Sequence, residues 1–230
     1  MKTFEEVILA NKSVVGKVVD FNLQSDKLLA LDFTAANTAL TDEILDNTDL
    51  FSAWVNNELE ANGAKYGIGG YNEHRTIYSR SRHFDTGEEP RRLHLGVDIW
   101  APALTPVYNF YDATVHSFAN NNNFGDYGAT IILNYKIDGY EFHALYGHLS
   151  LASLDGLETG KFIPAGKAFA TLGIKEENGF WPPHLHFQIV KNMEGCEGDY
   201  PGVCKFSERE KYLANCLNPN LILNCSLKSL

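Results

Sequence analysis

No stretch of the 230-residue chain approaches the roughly 20 apolar residues that cross a bilayer. Nor does the start read as a secretory signal, because Glu5 and Glu6 interrupt the apolar residues Phe4, Val7 and Ile8. The expectation is a cytoplasmic protein, or an exported one whose signal has been removed. Positive charge is short: 19 Lys and Arg stand against 29 Asp and Glu, a net charge of −10. That argues against a general binder of nucleic acid or anionic membranes. It also works against long-range attraction to anionic cell-wall polymers, while leaving a local basic groove open. Cysteine is absent before position 196. Cys196, Cys204, Cys216 and Cys225 all fall in the last 35 residues. None forms a C-x-x-C pair, which argues against a zinc knuckle. Without a signal peptide they read as reduced thiols rather than as two disulfides. There is no internal repeat, no low-complexity run and no G-x-S-x-G nucleophile elbow.

What is present supports a folded core, at 44% hydrophobic and 12% aromatic residues. Three regions follow from the texture. Residues 1–70 form an N-terminal extension of helices and a strand. Thr3 and Glu6 make a capping box before a helix at 3–11. Residues 27–33 suit a strand. A helix over 48–62 carries Leu50, Phe51, Trp54, Val55 and Leu59 as an apolar stripe, with Gly63 as its stop. That stripe needs an apolar partner, so the extension is expected to pack on the β body and narrow one end of its cleft. Tyr66 to Tyr71, rich in glycine, reads as a hinge. Residues 71–190 have the alternation of an antiparallel β protein, with strands at 106–110, 113–118, 129–137, 140–148 and 184–190. Asp138-Gly139 is a hairpin turn pair, and 120–128 reads as a polar loop. Residues 191–230 form a cysteine-containing tail, with a capped helix starting at Ser207–Glu210. The class is mainly β, α+β overall.

Histidine and aspartate carry the chemistry. His94 and Asp98 stand in L-H-L-G-V-D, His148 in Y-G-H-L, and His184 and His186 in H-L-H-F. Two imidazoles and a carboxylate make the ligand set of a catalytic zinc that keeps a fourth position open, and spare histidines supply proton handling. On a regular strand, positions 94 and 98 would be ~13 Å apart, so the chain must fold back, with Gly96 permitting it. His184 and His186 instead leave one face of a strand, ~6–7 Å apart. That suits one ligand and one neighbour of the substrate. Leu185 and Phe187 would point to the core. Tyr146 and His148 repeat the spacing on another strand. The reading is a zinc-dependent hydrolase acting on peptide bonds.

The order H-x-G-x-D, Y-x-H-L, H-L-H-F over Leu93 to Val190 resembles the lysostaphin-type (LytM-type) zinc metallopeptidases. The resemblance implies an antiparallel β-sandwich-like core with a cleft. It implies Zn²⁺ on His94, Asp98 and His186, with His148 and His184 catalytic. The implied substrate is a peptide of bacterial peptidoglycan. The family's small-residue lead-in to H-L-H is here Gly179-Phe180-Trp181-Pro182-Pro183, which gives a bulkier rim. Tyr71 to Arg75, Trp181-Pro182-Pro183 and Gly198 to Gly202 look like a subgroup fused to aminotransferase and phosphotransferase domains. That points to an association with amine-metabolism enzymes. Tyr146, Trp181, Glu73 and Arg75 are the candidate substrate contacts. For Glu73 and Arg75 the alternative is a structural hydrogen-bond cluster, and for Trp181 plain packing. His74, His83, His116 and His143 read as structural or exposed. The competing function is a zinc-bearing regulatory domain, which a cleft blocked by the extension would favour.

Overall fold

The computed structural model describes residues 2–22, 24–85 and 87–223. Its helices are α1 (Phe4–Ala10), α2 (Asp42–Asp46), α3 (Thr48–Asn62), α4 (Arg209–Leu213) and α5 (Asn220–Leu223). The early strands are β1 (Leu28–Ala30), β2 (Tyr66–Gly69), β3 (Leu93–His94), β4 (Val97–Trp100) and β5 (Pro106–Tyr108). Then come β6 (Ala113–Asn121), β7 (Gly128–Ile137), β8 (Tyr140–Leu149), β9 (Phe162–Ile163) and β10 (Ala168–Thr171). The last are β11 (His184–Val190), β12 (Val203–Cys204) and β13 (Cys216–Leu217). The class is mainly β with few helices, as its composition and alternation require.

One large sheet organises the chain, in the order β1-β2-β4-β11-β8-β7-β6-β9, with β13 also pairing β11. The pair β1–β2 is parallel and the other pairs are antiparallel. Period-two alternation divides its two faces. Val97, Ile99, Tyr146, Leu185, Phe187 and Ile189 enter the main core. There they meet Val107 of β5, Ala170 of β10, and Phe4, Val7 and Ile8 of α1. Phe110 stacks on Tyr135 at 4.3 Å between centroids. The opposite face carries Asp98, Trp100, His184, His186 and Gln188, and it holds the polar chemistry.

Local rules account for several elements. Thr3 accepts from the Glu6 N–H and Glu6 accepts from the Thr3 N–H, so α1 has its capping box. Asn47 caps α3, and Gly63 closes it at φ 59°. Phe51, Val55 and Leu59 are its buried face, while Leu50 is 42% exposed and lies off the stripe. Asp138 and Gly139 both take positive φ, 49° and 80°, at the β7–β8 turn. Asn120 and Asn121, expected in a loop, extend β6. The expected capping box at Ser207 is absent, because the Ser207 hydroxyl bonds the Glu89 carboxylate instead. Cys196, Cys204 and Cys216 are free thiols, the last two buried; Cys225 lies outside the described residues.

The expected hinge at Tyr66 to Tyr71 is corrected: Tyr66–Gly69 is a strand paired to β1 and to β4. Its glycines have a packing reason. A Cβ at Gly67 would lie 2.5 Å from Leu31, and one at Gly69 2.5 Å from the Arg75 guanidinium. The sheet therefore crosses the boundary drawn at residue 70, and the extension supplies two of its strands. Helix α3 closes over that edge. Phe33 and Phe51 are fully buried, with centroids 5.0 and 5.8 Å from Trp100. Phe51→Ala is expected to cost about 3–5 kcal/mol, read as a lowered urea midpoint with an unchanged slope.

Candidate metal centre

The register of β11 against β4 places His186 opposite Asp98 and His184 opposite Trp100. His94 arrives from β3, which pairs with β12 in a separate small sheet, so the chain does fold back between positions 94 and 98. Gly96 is needed there for room rather than for a left-handed backbone. A Cβ on it would stand 2.7 Å from the His186 ring and 2.8 Å from the Phe187 carbonyl.

Three ligand atoms converge. His94 Nε2 lies 3.0 Å from His186 Nδ1 and 3.2 Å from Asp98 Oδ1, and His186 Nδ1 lies 3.0 Å from that same oxygen. The proton positions are set from outside. His94 Nδ1 donates to the Gly70 carbonyl at 2.8 Å, and His186 Nε2 donates to Gln188 Oε1 at 2.8 Å. The Gln188 amide is itself held, donating to the Pro201 carbonyl and the Cys216 sulfur. Two imidazole lone pairs and a carboxylate oxygen thus face one another with no proton between the rings. A metal cation resolves that arrangement, and burial works against the alternative of a proton. A tetrahedral zinc with ligands at ~2.0–2.1 Å has ligand–ligand edges of about 3.3–3.4 Å, close to those observed, so the residues fit zinc.

Behind the cluster, Arg75 is fully buried. It donates to Asp98 Oδ2, to Glu73 at 2.6 Å and to the Tyr78 hydroxyl at 3.2 Å. Burial opposes ionisation of Asp98, but neighbouring positive charge and hydrogen bonds hold its carboxyl well below the usual range. Oδ2 is taken by Arg75, which leaves Oδ1 for a metal. Arg75, with Glu73 beside it, therefore orients a ligand, and Arg75 also lines the cavity over the cluster.

His148 and His184 complete the site. His148 Nδ1 donates to the Asn178 carbonyl and His184 Nδ1 to the Pro182 carbonyl, each at 2.8 Å. Both Nε2 atoms keep lone pairs, and the ring centroids are 4.1 Å apart. The His184 ring also stacks on Trp100 at 4.0 Å. Burial first, then Arg75, holds His94 down to about 4; burial, with smaller contributions from His186 and Arg75, does the same for His184. Burial also lowers His148 well below its ordinary value, helped by His184 and His186.

Tyr146 requires a correction. It does not share a face with His148. Gly147 and His148 together oppose Thr130 of β7, between the pairs Ile131–Tyr146 and Ala129–Leu149. His148 sits at φ 61°, a β-bulge that turns it to the cleft. Tyr146 is fully buried in the main core, its hydroxyl 2.6 Å from that of Tyr135. Trp181, by contrast, lines the cleft. The cavity over the cluster measures about 160 Å³ and is walled partly by Phe84, Arg91, Tyr127 and Tyr200. His83, expected to be structural or exposed, also lines it. Gln188, Tyr78 and Tyr127 escaped the sequence reading. Only Gln188 carried a signal, two places beyond His186 on the same strand face.

Residues 92–197 match the family model of peptidase family M23. Among solved structures, the catalytic domain of lysostaphin from Staphylococcus simulans is 23% identical. The match covers 75% of this chain and 97% of that one, with a TM-score of 0.44. An M23 peptidase candidate from Pseudomonas aeruginosa is 18% identical over 56% of this chain, TM-score 0.37, and the match spans 43% of that protein. A zinc-containing peptidase from Vibrio cholerae is 24% identical over 43% of this chain and 27% of that one, TM-score 0.34. No curated protein matches.

Two outcomes test the centre. Gln188→Leu should weaken zinc about 10–100-fold in chelator competition, and His186→Ala should abolish stoichiometric zinc in metal analysis. Acid should also destabilise the metal-free protein. In the unfolded chain His94 and His184 titrate near 6.5, in the fold near 4. Between those values the unfolded state binds more protons, so stability falls as pH drops from 6.5 toward 4. Urea midpoints measured across that window check it.

Proposed function

We propose that the chain, whose residues 92–197 match the model of peptidase family M23, is a zinc endopeptidase. Its proposed substrate is a peptide of bacterial peptidoglycan or a related short peptide. The observation that carries this reading is the pairing of a His-Asp-His cluster with two further imidazoles whose free Nε2 atoms belong to the same cleft. Zinc, when bound, supplies Lewis acidity toward the scissile carbonyl and toward water. His148, neutral and carrying a lone pair on Nε2, takes the proton from the attacking water. It returns that proton to the leaving amine as the C–N bond breaks. His184, neutral and with its own Nε2 lone pair facing the cleft, accepts a hydrogen bond from the second O–H of that water and orients it for attack. The carbonyls of Asn178 and Pro182 keep the Nδ1 protons in place, so both rings present the same atom throughout.

A regulatory zinc domain associated with amine metabolism is the second reading. The narrowness of the cleft favours it, since none of the five side chains is more than 5% exposed. One experiment separates the two. The zinc-loaded protein is incubated with peptidoglycan fragments and a broad peptide panel, and products are identified by mass spectrometry. His148→Ala should retain zinc and fold while losing at least about 10²-fold in turnover. Absence of any cleavage by the wild type would favour the regulator. Loss of zinc from the variant would make His148 a ligand.

A further inference from the structure

His148 depends on a carbonyl that belongs to an improbable loop. Asn178 is fully buried, and its side chain accepts from the Trp181 N–H at 3.0 Å. The next two residues are left-handed, Gly179 at φ 79° and Phe180 at φ 64°. Glycine tolerates that backbone, but phenylalanine adopts it only where surrounding contacts enforce it. A Cβ at Gly179 would meet the Asp126 carbonyl at 1.9 Å, so this stretch packs directly on the backbone just before β7.

The enforcing contacts come from the N-terminal third of the chain. The Phe180 carbonyl accepts from the Thr48 hydroxyl at 2.7 Å and from Arg80 Nη2 at 3.2 Å. The same Nη2 lies 2.8 Å from Thr48 Oγ1. Thr48 is the first residue of α3, and the next residue, Asp49, forms an ion pair with Lys175 at the start of the same loop. Arg80 is only 9% exposed. Its guanidinium lies over the rings of Trp181 at 4.7 Å, Phe124 at 5.2 Å and Phe51 at 5.7 Å. Its Nε and Nη1 have no hydrogen-bond partner among the described residues. Burial lowers its pKa to about 10, which leaves it charged at neutral pH. A buried guanidinium whose nearest carboxylate, Asp46, acts only from a distance is costly. An apolar residue would fill the aromatic box more cheaply, yet it could not grip the Phe180 carbonyl.

We infer that Arg80 and Thr48 are positioning residues for His148: their grip on Phe180 fixes the loop whose Asn178 carbonyl sets the His148 imidazole. Helix α3 is then a working part of the site. The inference rests on the catalytic role proposed for His148, and its test has a readout independent of that role. Histidine ¹⁵N-labelled, zinc-loaded protein is prepared as wild type, Thr48→Val and Arg80→Leu. The His148 Nδ1–H proton reports its bond to Asn178 through its rate of exchange with solvent. Both variants are expected to keep zinc and circular dichroism while exchange quickens by about tenfold, the loss of roughly one hydrogen bond's protection. On a cleaved peptide, kcat should fall about 10–100-fold with KM within about twofold, as misplacement of one group predicts. In a His148→Ala background, Arg80→Leu should cost less than about twofold more, because both act through one group. Thr48→Val removes only a hydroxyl, so it decides the matter if Arg80→Leu fails to fold. Unchanged exchange in a folded variant, or a full additional loss in the His148→Ala background, would overturn the inference. If the wild type cleaves nothing, the exchange rates still decide the positioning claim, while the enzymatic reading fails separately.

Discussion

Two imidazole lone pairs aimed at each other across 3.0 Å, with a carboxylate oxygen beside them, are the constraint on which the rest of this molecule turns. In a buried setting that contact is repulsive unless a cation or a proton intervenes, and burial works against the proton. The chain commits to the cation by occupying every other option. Gly70 takes the remaining His94 proton, Gln188 that of His186, and Arg75 the second oxygen of Asp98. Gly70 and Arg75 come from the stretch just after β2, and Gln188 from β11. The site therefore forms only when the whole polar face of the sheet has assembled.

The same sheet explains why chemistry and stability coexist within a few ångströms. Alternation on β11 sends Leu185, Phe187 and Ile189 into the core, His184 and His186 to the cleft, and Gln188 to the same face, buried behind His186. One strand serves both ends without compromise. On β8 alternation alone would have buried His148 beside Tyr146. The bulge at Gly147–His148 breaks the rule once and restores it at Leu149, which is back in the core. A Cβ at Gly147 would lie 2.7 Å from the Tyr127 ring, so the bulge also makes room for that wall of the cleft.

Those two strands mark what could be read from the sequence. His184 and His186 were legible because period two is a local property, and the β7–β8 hairpin because Asp-Gly fixes its turn. The five histidine and aspartate positions came together in the order their motifs suggested. Tyr146 was misassigned by the same logic, since nothing in Y-G-H-L announces a left-handed histidine. Arg75 was visible as a residue but not as a partner. Its contact with Asp98 is made across the Gly67–Gly69 strand edge, and glycines there mimic a hinge when read alone. Tyr127 and the Arg80 box rest on tertiary contacts with no sequence periodicity.

The architecture also bears on what counts as one unit. The family match begins at residue 92, yet the nearest neighbours of β4 include β2, and those of Trp100 include Phe33 and Phe51. Trp100 in turn stacks on His184. A displacement of the α3 edge would therefore reach the cleft through a stacked indole as well as through the Phe180 carbonyl. Packed aromatic contacts of this kind shift between discrete arrangements rather than yielding gradually. The extension thus lies behind the cleft rather than in it, and it reaches the site through Trp100, on which Phe33 and Phe51 pack and against which His184 stacks.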